Sequence, residues 1–279
     1  MPVDLPATLT QATVQIEQAQ PDGSHIVGTG FLINDPRPDG TPRTVLVTAN
    51  HVLERMSQGE AHIGYRLQGK DGAWTYDPQP VTIRRGKAEL WTHHPSRDVA
   101  AIVVRAPDAF AKAAIPLAWL AGDDTFTQFG VGQGDEMMVL GYPQGLSANS
   151  AGFPILRAGR VASPIERAAL SPTFLLDFRV FPGNSGGPVF IADTGRRRPG
   201  EAQSQDVQFV AGILTQQVEM NDQRLEIGIV TEASFVRETI GQLDRGAAKG
   251  TADPAAPIAH PPLTPTTDAV ANVGRAAAD

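Results

Sequence analysis

Short apolar runs recur along the whole chain, and each is bounded by glycine, proline, asparagine or aspartate. Several alternate apolar and polar residues at period two, as Val14 and Ile16 do, and they favour β-branched residues. Runs of this length and composition are typical of strands in an all-β sandwich or barrel. The eight clearest are "ATVQIEQ" from 12, "GTGFLI" from 28, "TVLVTA" from 44, "VAAIVV" from 99, "EMMVLGY" from 136, "FLLDFRV" from 174, "VQFVAGILT" from 207 and "LEIGIVT" from 225.

Three segments depart from this pattern and divide the chain. Residues 106–124 are alanine-rich and predict a connector between two β halves, which we place at 1–118 and 119–245. Residues 232–245 predict a helix, because Val236, Ile240 and Leu243 fall at i, i+4 and i+7 and Gly246 can end it. Residues 246–279 are rich in alanine, proline and threonine and poor in aromatics, so we expect a disordered tail.

Charge and composition exclude several classes of protein. The chain has 279 residues and a net charge of −7, which argues against a general nucleic-acid binder. It has no cysteine, and therefore no thiol nucleophile, thiolate metal site or disulfide. No stretch approaches the roughly 18 consecutive apolar residues of a membrane span. The amino terminus lacks the pattern of a secretory signal, so we expect a cytoplasmic protein, with secretion left open.

The stretch "VFPGNSGGPVF" surrounds Ser185 with glycines at 183, 186 and 187. Its "GNSGG" satisfies the Gly-x-Ser-x-Gly pattern of α/β-hydrolases, in which a helix follows the serine and a histidine comes later in the chain. Here Gly186, Gly187 and a proline cannot open a helix well, and the only later histidine is His260, in the proline-rich tail. The α/β-hydrolase interpretation therefore fails. A barrel enzyme with the chain order His, Asp, Ser fits better.

Two upstream blocks supply such a histidine and aspartate. "VTANHVL" places His51 just after an apolar strand, and "RDVAAIVV" places Asp98 at the start of another. With "GNSGGP" around Ser185, these blocks resemble those of trypsin-like (chymotrypsin-fold) serine peptidases. "VLGYPQG" from 139 and "RAGRVAS" from 157 resemble the bacterial, disulfide-free branch that includes the HtrA proteases, and 228–240 resembles the last strand and terminal helix of that fold. The resemblance covers about residues 10–245.

The resemblance implies an all-β fold of two antiparallel six-stranded β-barrels, the first carrying His51 and Asp98 and the second carrying Ser185. It implies an endopeptidase with Ser185 as nucleophile, His51 as general base and Asp98 orienting His51. The N–H groups of Gly183 and Ser185 would form the oxyanion hole. Neither a metal nor another cofactor is expected, and the partners would be protein or peptide substrates.

Substrate binding is expected along residues 213–217, where the peptide would add as a β-strand. Leu214, Thr215 and Gln216 belong to this segment, and Thr215 would support the catalytic aspartate. Arg179 lies six residues before the nucleophile, where the family has the floor of the specificity pocket. A guanidinium there predicts a preference for acidic residues before the scissile bond, whereas the HtrA-like branch often accepts small aliphatic ones. Both possibilities stay open.

Two features distinguish the chain from the trypsin-type and HtrA proteins that it resembles. Asn184 stands where trypsin-type zymogens carry an aspartate that pairs with a newly cut amino terminus, so no proteolytic activation is expected. Only 33 residues follow Gly246, too few for the PDZ domain that HtrA proteins carry there, and none is expected. A different class of function also survives the sequence: a catalytically silent module of the same fold that binds protein partners.

Overall fold

The structure is a computed structural model, and it describes residues 4–37, 39–166, 171–197, 203–220 and 223–247. Most of the predicted tail, from residue 248 onwards, lies outside these ranges, while residues 246 and 247 belong to the last helix. Within the described ranges no helix is both long enough and apolar enough to cross a membrane.

The first half is built from ten strands, most of which form one antiparallel sheet. The sheet has eight strands in the order β5-β4-β1-β2-β3-β9-β8, with β10 parallel to β2, while β6 and β7 form a separate ribbon. The strands are β1 (Thr13–Ala19), β2 (His25–Asn34), β3 (Thr44–Thr48), β4 (Glu60–Gln68), β5 (Trp74–Thr82), β6 (Arg84–Arg85), β7 (Ala88–Glu89), β8 (Thr92–His93), β9 (Ala100–Val104) and β10 (Ile115–Pro116).

This half differs in detail from the six-stranded barrel that the resemblance implies. The pairing path ends at β5 on one side and at β8 on the other, so the described ladder does not form a ring. The reason lies in the lengths of the end strands. The nine-residue β5 pairs along its whole length with β4, and the opposite end strand, β8, has only two residues.

The second half is a closed six-stranded barrel, as predicted. Its strand order is β11-β12-β13-β16-β15-β14, with β14 pairing back to β11. The strands are β11 (Glu136–Gly141), β12 (Ile155–Val161), β13 (Thr173–Asp177), β14 (Pro188–Arg196), β15 (Gln205–Met220) and β16 (Gln223–Glu232). The strands thus pair in a closed ring, and the all-β prediction is confirmed.

Five α-helices surround the strands: α1 (Leu5–Ala12), α2 (Asn50–Arg55), α3 (Asp108–Ala113), α4 (Thr125–Phe129) and α5 (Ala233–Ala247). The last confirms the predicted C-terminal helix. The predicted connector contains α3, β10 and a short 3₁₀ helix at Leu117–Trp119. Helix α1 was not predicted from the sequence. Its amino end is capped by the Asp4 carboxylate, which accepts from Ala7 N at 3.0 Å.

Two clusters of buried apolar side chains form the core. The smaller one fills the interior of the first half, around Ile16, Leu46 and Ile102. The larger one runs from α1 and the other face of the first sheet into the second barrel and α5, and includes Leu9 and Phe190. The larger cluster is therefore shared by the two halves.

Arg66 is fully buried and joins α1 to the chain that follows β11. Its guanidinium donates to the carbonyls of Thr10, Gln11 and Thr13 and, on the other side, to Gly152 O and the Tyr142 hydroxyl, at 2.7 to 3.1 Å. Burial lowers the pKa of Arg66, while the nearby Tyr142 raises it. Because the acceptors come from both halves, this side chain fixes Tyr142, which precedes the loop whose Gln144 N binds Pro182 O.

Candidate active site

His51 lies in the first turn of α2, one residue after the helix begins. β3 ends at Thr48, and the buried Ala49 is the residue between the strand and the helix. Asn50 is held by Trp91, whose Nε1 donates to the Asn50 side-chain oxygen at 2.9 Å. The short strand and the small residue after it therefore deliver the imidazole to the end of the sheet, facing the second barrel.

Asp98 lies just before β9 and binds His51 through both carboxylate oxygens. Oδ1 accepts from the His51 backbone N at 2.9 Å, and Oδ2 lies 2.6 Å from His51 Nδ1. With an ionised Asp98 and a neutral His51, Nδ1 would donate to the carboxylate and Nε2 would keep its lone pair. The two side chains are 22% and 21% exposed, so solvent reaches the pair from one side. The arrangement is that of an oriented general base.

The loop that carries Ser185 is fixed by hydrogen bonds to four consecutive carbonyls. Pro182 O accepts from Gln144 N at 2.6 Å, and Asn184 O accepts from Gly187 N at 3.0 Å. The carbonyls of Gly183 and Ser185 are both bound by Thr29, through its Oγ1 at 2.7 Å and its backbone N at 2.9 Å. Every peptide carbonyl from 182 to 185 thus has a hydrogen-bond partner.

The N–H groups of Gly183 and Ser185 have no acceptor among the residues that the structure describes. In a trans peptide the C=O and N–H point in opposite directions. The hydrogen bonds of Pro182 O and Asn184 O therefore turn the N–H groups of Gly183 and Ser185 away from those partners. Two unpaired donors next to a serine hydroxyl form a site for a developing oxyanion.

Glycine is required at 183 for two independent reasons. Its φ is +92°, in the region that residues with a side chain rarely adopt. A Cβ at this position would lie 2.2 Å from the carbonyl oxygen of Tyr142. The loop can therefore reach this conformation only without a side chain at 183.

The Ser185 hydroxyl donates to the carbonyl of Thr215 at 3.3 Å and makes no hydrogen bond to His51 in this structure. Thr215 is the extra residue where the pairing of β15 with β16 shifts register, between Leu214 and Gln216. Such a bulge redirects one residue of a strand, and here it turns the Thr215 carbonyl to the serine. The hydroxyl must rotate away from it to reach the imidazole.

A cleft of about 650 Å³ lies in front of the serine. Its lining brings together His51 and Ser185 from the two halves. It also includes two arginines, and no carboxylate among the residues that the structure describes. The lining residues are His51, Arg55, Val180, Phe181, Pro182, Ser185, Thr215, Gln216, Gln217, Val218, Arg224 and Ile229.

Thr215 and Gln216 thus lie where substrate binding was predicted, whereas Leu214 does not. Leu214 is fully buried, and its backbone N–H and C=O are bound to Gly187 and Gly186 of the serine loop at 2.9 and 2.7 Å. The Thr215 hydroxyl lies 3.2 Å from Ile229 O and 3.3 Å from Thr231 Oγ1 rather than on Asp98, as had been expected.

Arg179 does not reach the cleft. Its side chain is 61% exposed, lies 3.3 Å from Glu226 and stacks on Phe181. Its neighbours Phe178 and Val180 are both buried, so the alternation of the segment points residue 179 outwards. The cations that line the cleft are Arg55 and Arg224.

Asn184 uses its side-chain oxygen to accept from Phe181 N at 3.0 Å, which closes the turn before the serine. Residues 25–30, which superficially resemble an activation terminus, lie inside β2 and pair with β1. The expectation that no proteolytic activation is needed stays a prediction.

Two positions that hold the serine loop were missed from the sequence, Thr29 and Gln144. Gln144 has a φ of +54°, unusual for a residue other than glycine. Thr29 lies between two glycines in "GTG", and that bracketing of a hydroxyl by glycines is the same signal that drew attention to Ser185.

Among the described residues no group of three or more potential metal ligands lies together. The Nε2 atom of His94 lies 3.0 Å from the Oε2 atom of Glu238.

Comparison with known proteins identifies the family. A family model described as the trypsin-like peptidase domain matches residues 28–197, which is more than half of the chain. No curated protein sequence matches it.

Solved structures share the fold at low sequence identity. The HtrA-type protease AlgW with a tripeptide has a TM-score of 0.53 and 16% identity, over 88% of this chain and 65% of that one. AlgW with a decapeptide has a TM-score of 0.51 and 16% identity, over 87% and 68%. The Rv3671c protease from M. tuberculosis in its active form has a TM-score of 0.51 and 21% identity, over 90% and 86%.

This chain therefore spans slightly less than two thirds of the length of the first of these proteins. Closed barrel, terminal helix and family model agree, and the chain belongs to the trypsin-like peptidase family.

Proposed function

We propose that this protein is a serine endopeptidase that hydrolyses peptide bonds through an acyl-enzyme on Ser185. The observation that carries the proposal is the combination of an oriented base with two free N–H donors. His51 Nδ1 lies 2.6 Å from Asp98 Oδ2, and the N–H groups of Gly183 and Ser185 have no acceptor among the described residues.

In the first step the Ser185 hydroxyl leaves the Thr215 carbonyl, turns towards His51 and gives its proton to Nε2. Rotation of a partly exposed side chain takes picoseconds to nanoseconds and does not limit turnover. The oxygen attacks the peptide carbonyl, and the oxyanion that forms accepts from Gly183 N and Ser185 N. Asp98 stabilises the imidazolium throughout.

In the second step the imidazolium gives its proton to the leaving amine, and the C–N bond breaks. A water molecule then loses a proton to His51 Nε2 and attacks the acyl-enzyme. Collapse of the second tetrahedral intermediate releases the carboxylic acid product and returns the proton to Ser185.

An extended peptide can reach the serine along β15. β15 pairs with β14 only as far as the Pro188–Ile213 pair, and beyond it the segment from Thr215 to Gln217 pairs with β16 alone. Its other edge faces the cleft and can accept a strand from the substrate. The preference for an acidic or a small residue before the scissile bond stays a prediction. Its acidic alternative now rests on Arg55 and Arg224, which line the cleft, and no longer on Arg179.

Labelling by a fluorophosphonate probe tests the proposal, because such probes form a covalent adduct with an activated serine. We expect wild type to be labelled at Ser185 and to cleave casein, and Ser185→Ala to lose both. Ser147→Ala, at a partly exposed serine that does not line the cleft, is the matched control and should behave as wild type. Retention of more than about a hundredth of the casein activity by Ser185→Ala would show that another residue is the nucleophile.

No labelling of a folded wild type, under conditions where trypsin is labelled, would favour the silent binding module instead. Labelling without casein cleavage would leave an activated serine but redirect the search towards non-peptide esters, since transfer of an acyl group is the same reaction.

A further inference from the structure

Thr29 is a buried residue of β2 that contacts the serine loop at more than one point. It is fully buried. Its backbone N donates to Ser185 O at 2.9 Å, and its Oγ1 donates to Gly183 O at 2.7 Å. Oγ1 also accepts from Tyr142 N at 3.1 Å. A single side chain thus bridges the serine loop and the loop that follows β11.

These bonds act on the peptide units next to the two oxyanion donors. The peptide that joins Gly183 to Asn184 is held by the Thr29 hydroxyl, and the peptide that joins Ser185 to Gly186 is held by the Thr29 N–H. The donors themselves, Gly183 N and Ser185 N, belong to the alternating peptides. Holding the carbonyls of Gly183 and Ser185 fixes the backbone on the far side of each donor, which restricts the ψ of Gly183 and of Ser185 and so limits how the donor peptides can turn.

The hydroxyl also supports the loop that controls the peptide before Gly183. Tyr142 N binds Thr29 Oγ1, and two residues later Gln144 N binds Pro182 O at 2.6 Å. If Tyr142 N lost its acceptor, the bond from Gln144 that keeps Pro182 O out of the oxyanion hole would lose part of its support. Thr29 therefore helps to hold both the peptide that precedes Gly183 and the peptide that follows it.

Thr29 is itself placed by its surroundings. The Thr48 hydroxyl donates to Thr29 O at 2.7 Å, and the flanking glycines 28 and 30 leave space for neighbouring side chains. A Cβ at 28 would lie 2.3 Å from Val52 Cγ1, and one at 30 would lie 2.8 Å from Leu46 Cδ1. The "GTG" sequence thus lets β2 pack closely while the threonine hydroxyl faces the serine loop.

We propose that Thr29 is a positioning residue of the peptidase, whose side-chain hydroxyl keeps the N–H of Gly183 directed into the oxyanion hole. This inference rests on the proposed function. It predicts a specific defect: substrate binds normally, but the transition state loses a hydrogen bond that the ground state does not need.

The test compares Thr29→Val with Thr29→Ser. Valine keeps the shape of threonine and removes the hydroxyl, whereas serine keeps the hydroxyl and removes a methyl group. We expect Thr29→Val to lower kcat by about 10²–10³-fold, as the loss of one oxyanion donor does, with KM changed less than about threefold. Thr29→Ser should keep kcat within about threefold of wild type.

A second measurement separates positioning from a general loss of structure. A peptide boronate forms a tetrahedral adduct that uses the oxyanion hole, whereas a product peptide binds the cleft without it. We expect Thr29→Val to weaken the boronate strongly and the product peptide hardly at all. If Thr29→Val does not fold, Thr29→Cys against Thr29→Ser makes the same comparison, because a thiol is a much weaker hydrogen-bond donor.

Equal kcat values for Thr29→Val and wild type would overturn the inference while leaving the proposed function in place. Equal losses in Thr29→Ser and Thr29→Val, or equal weakening of both ligands, would also overturn it, since packing would then be the cause. A folded wild type that is neither labelled nor active would overturn the proposed function and this inference together.

Discussion

The backbone of Gly183 turns at a φ of +92°, and Tyr142 O lies 2.2 Å from the place where a Cβ would be. Single residues of this kind decide whether the proposed site can form, because the proposed oxyanion donor is a backbone N–H and no side chain can replace it. The same holds for Gly186, where a Cβ would lie 2.1 Å from Thr29 O.

Gly183→Ala should therefore damage catalysis more than stability. The added methyl must push the loop away from Tyr142, which displaces the N–H, and we expect kcat to fall at least about 10²-fold. Gly23→Ala is the matched control, because Gly23 has a similar φ of +82° but nothing within 4 Å of the Cβ position. It should lose about 1 kcal/mol of stability and no activity. Equal kcat values for the two variants, measured with a peptide substrate, would contradict the assignment of Gly183.

Sequence order was enough to predict His51, Asp98 and Ser185 as one site because each stands in a short block with its own local geometry, and their catalytic roles stay a prediction. It was not enough for Arg179. Counting six residues back from the serine carries over the family's geometry only if the backbone between is the same. Here the buried Phe178 and Val180 set the alternation and turn Arg179 to solvent. A count of residues gives no information on burial, and burial determines the direction of the Arg179 side chain.

At the scale of elements, the junction of β16 and α5 contains a buried acid. Glu232 is 3% exposed, and its Oε1 has no hydrogen-bond partner in the described part of the chain. Burial raises the pKa of Glu232 to about 7, and the nearby Asp123 adds to the effect. The carboxyl is therefore still largely protonated at pH 6, where an exposed glutamate would be ionised.

The sign of the resulting pH dependence follows from proton counts. Between pH 4.5 and 7 the folded state holds a proton on Glu232 that the unfolded state has released, so the free energy of unfolding falls as pH rises. The loss is complete above about pH 7 and amounts to roughly 3 kcal/mol at most. Glu232→Gln should remove this loss and be more stable than wild type at pH 8, whereas Glu136→Gln, at an exposed site, should not. Urea unfolding from pH 5 to 8 measures it, and parallel curves for wild type and Glu232→Gln would exclude this role.

The elements also show where the sequence had a signal that was not used. α1 begins with an aspartate cap and a proline in its first turn, and Leu5, Leu9 and Ala12 follow at i, i+4 and i+7, as helix rules require. It was missed because β1 starts at the next residue, and one apolar run covers both. The pairing of the first sheet could not be predicted, since it depends on contacts between β1 and β4, which are distant in sequence.

At the scale of the whole molecule, His51 and Ser185 come from two halves that share one large apolar cluster. α1 contacts β1 and β2 of the first half and β14 of the second, and Leu5 N donates to the Gln208 side chain of β15 at 3.1 Å. This apolar cluster extends across the boundary predicted at residues 118 and 119, and the division into two domains there stays a prediction.

Leu9→Ala should consequently destabilise both halves together. Leu9 is fully buried in the shared cluster, and truncation to alanine should cost about 2–5 kcal/mol. Leu146→Ala, at a leucine that is 60% exposed, should change stability by less than about 0.5 kcal/mol. Hydrogen exchange of peptides from each half measures the effect. Faster opening confined to one half in Leu9→Ala would mean that the halves fold independently.

The end strand of the first sheet bears on how copies of the protein behave towards one another. An unclosed sheet offers the backbone of its last strand to any other chain, which is a route to aggregation. β5, the last strand on one side, carries Pro78 and Pro80 at alternate positions. Proline has no N–H, and it is accepted in a strand where that missing group would face away from the neighbour. The outer edge of β5 therefore lacks two successive donors, and the open sheet is protected against adding the strand of a second molecule.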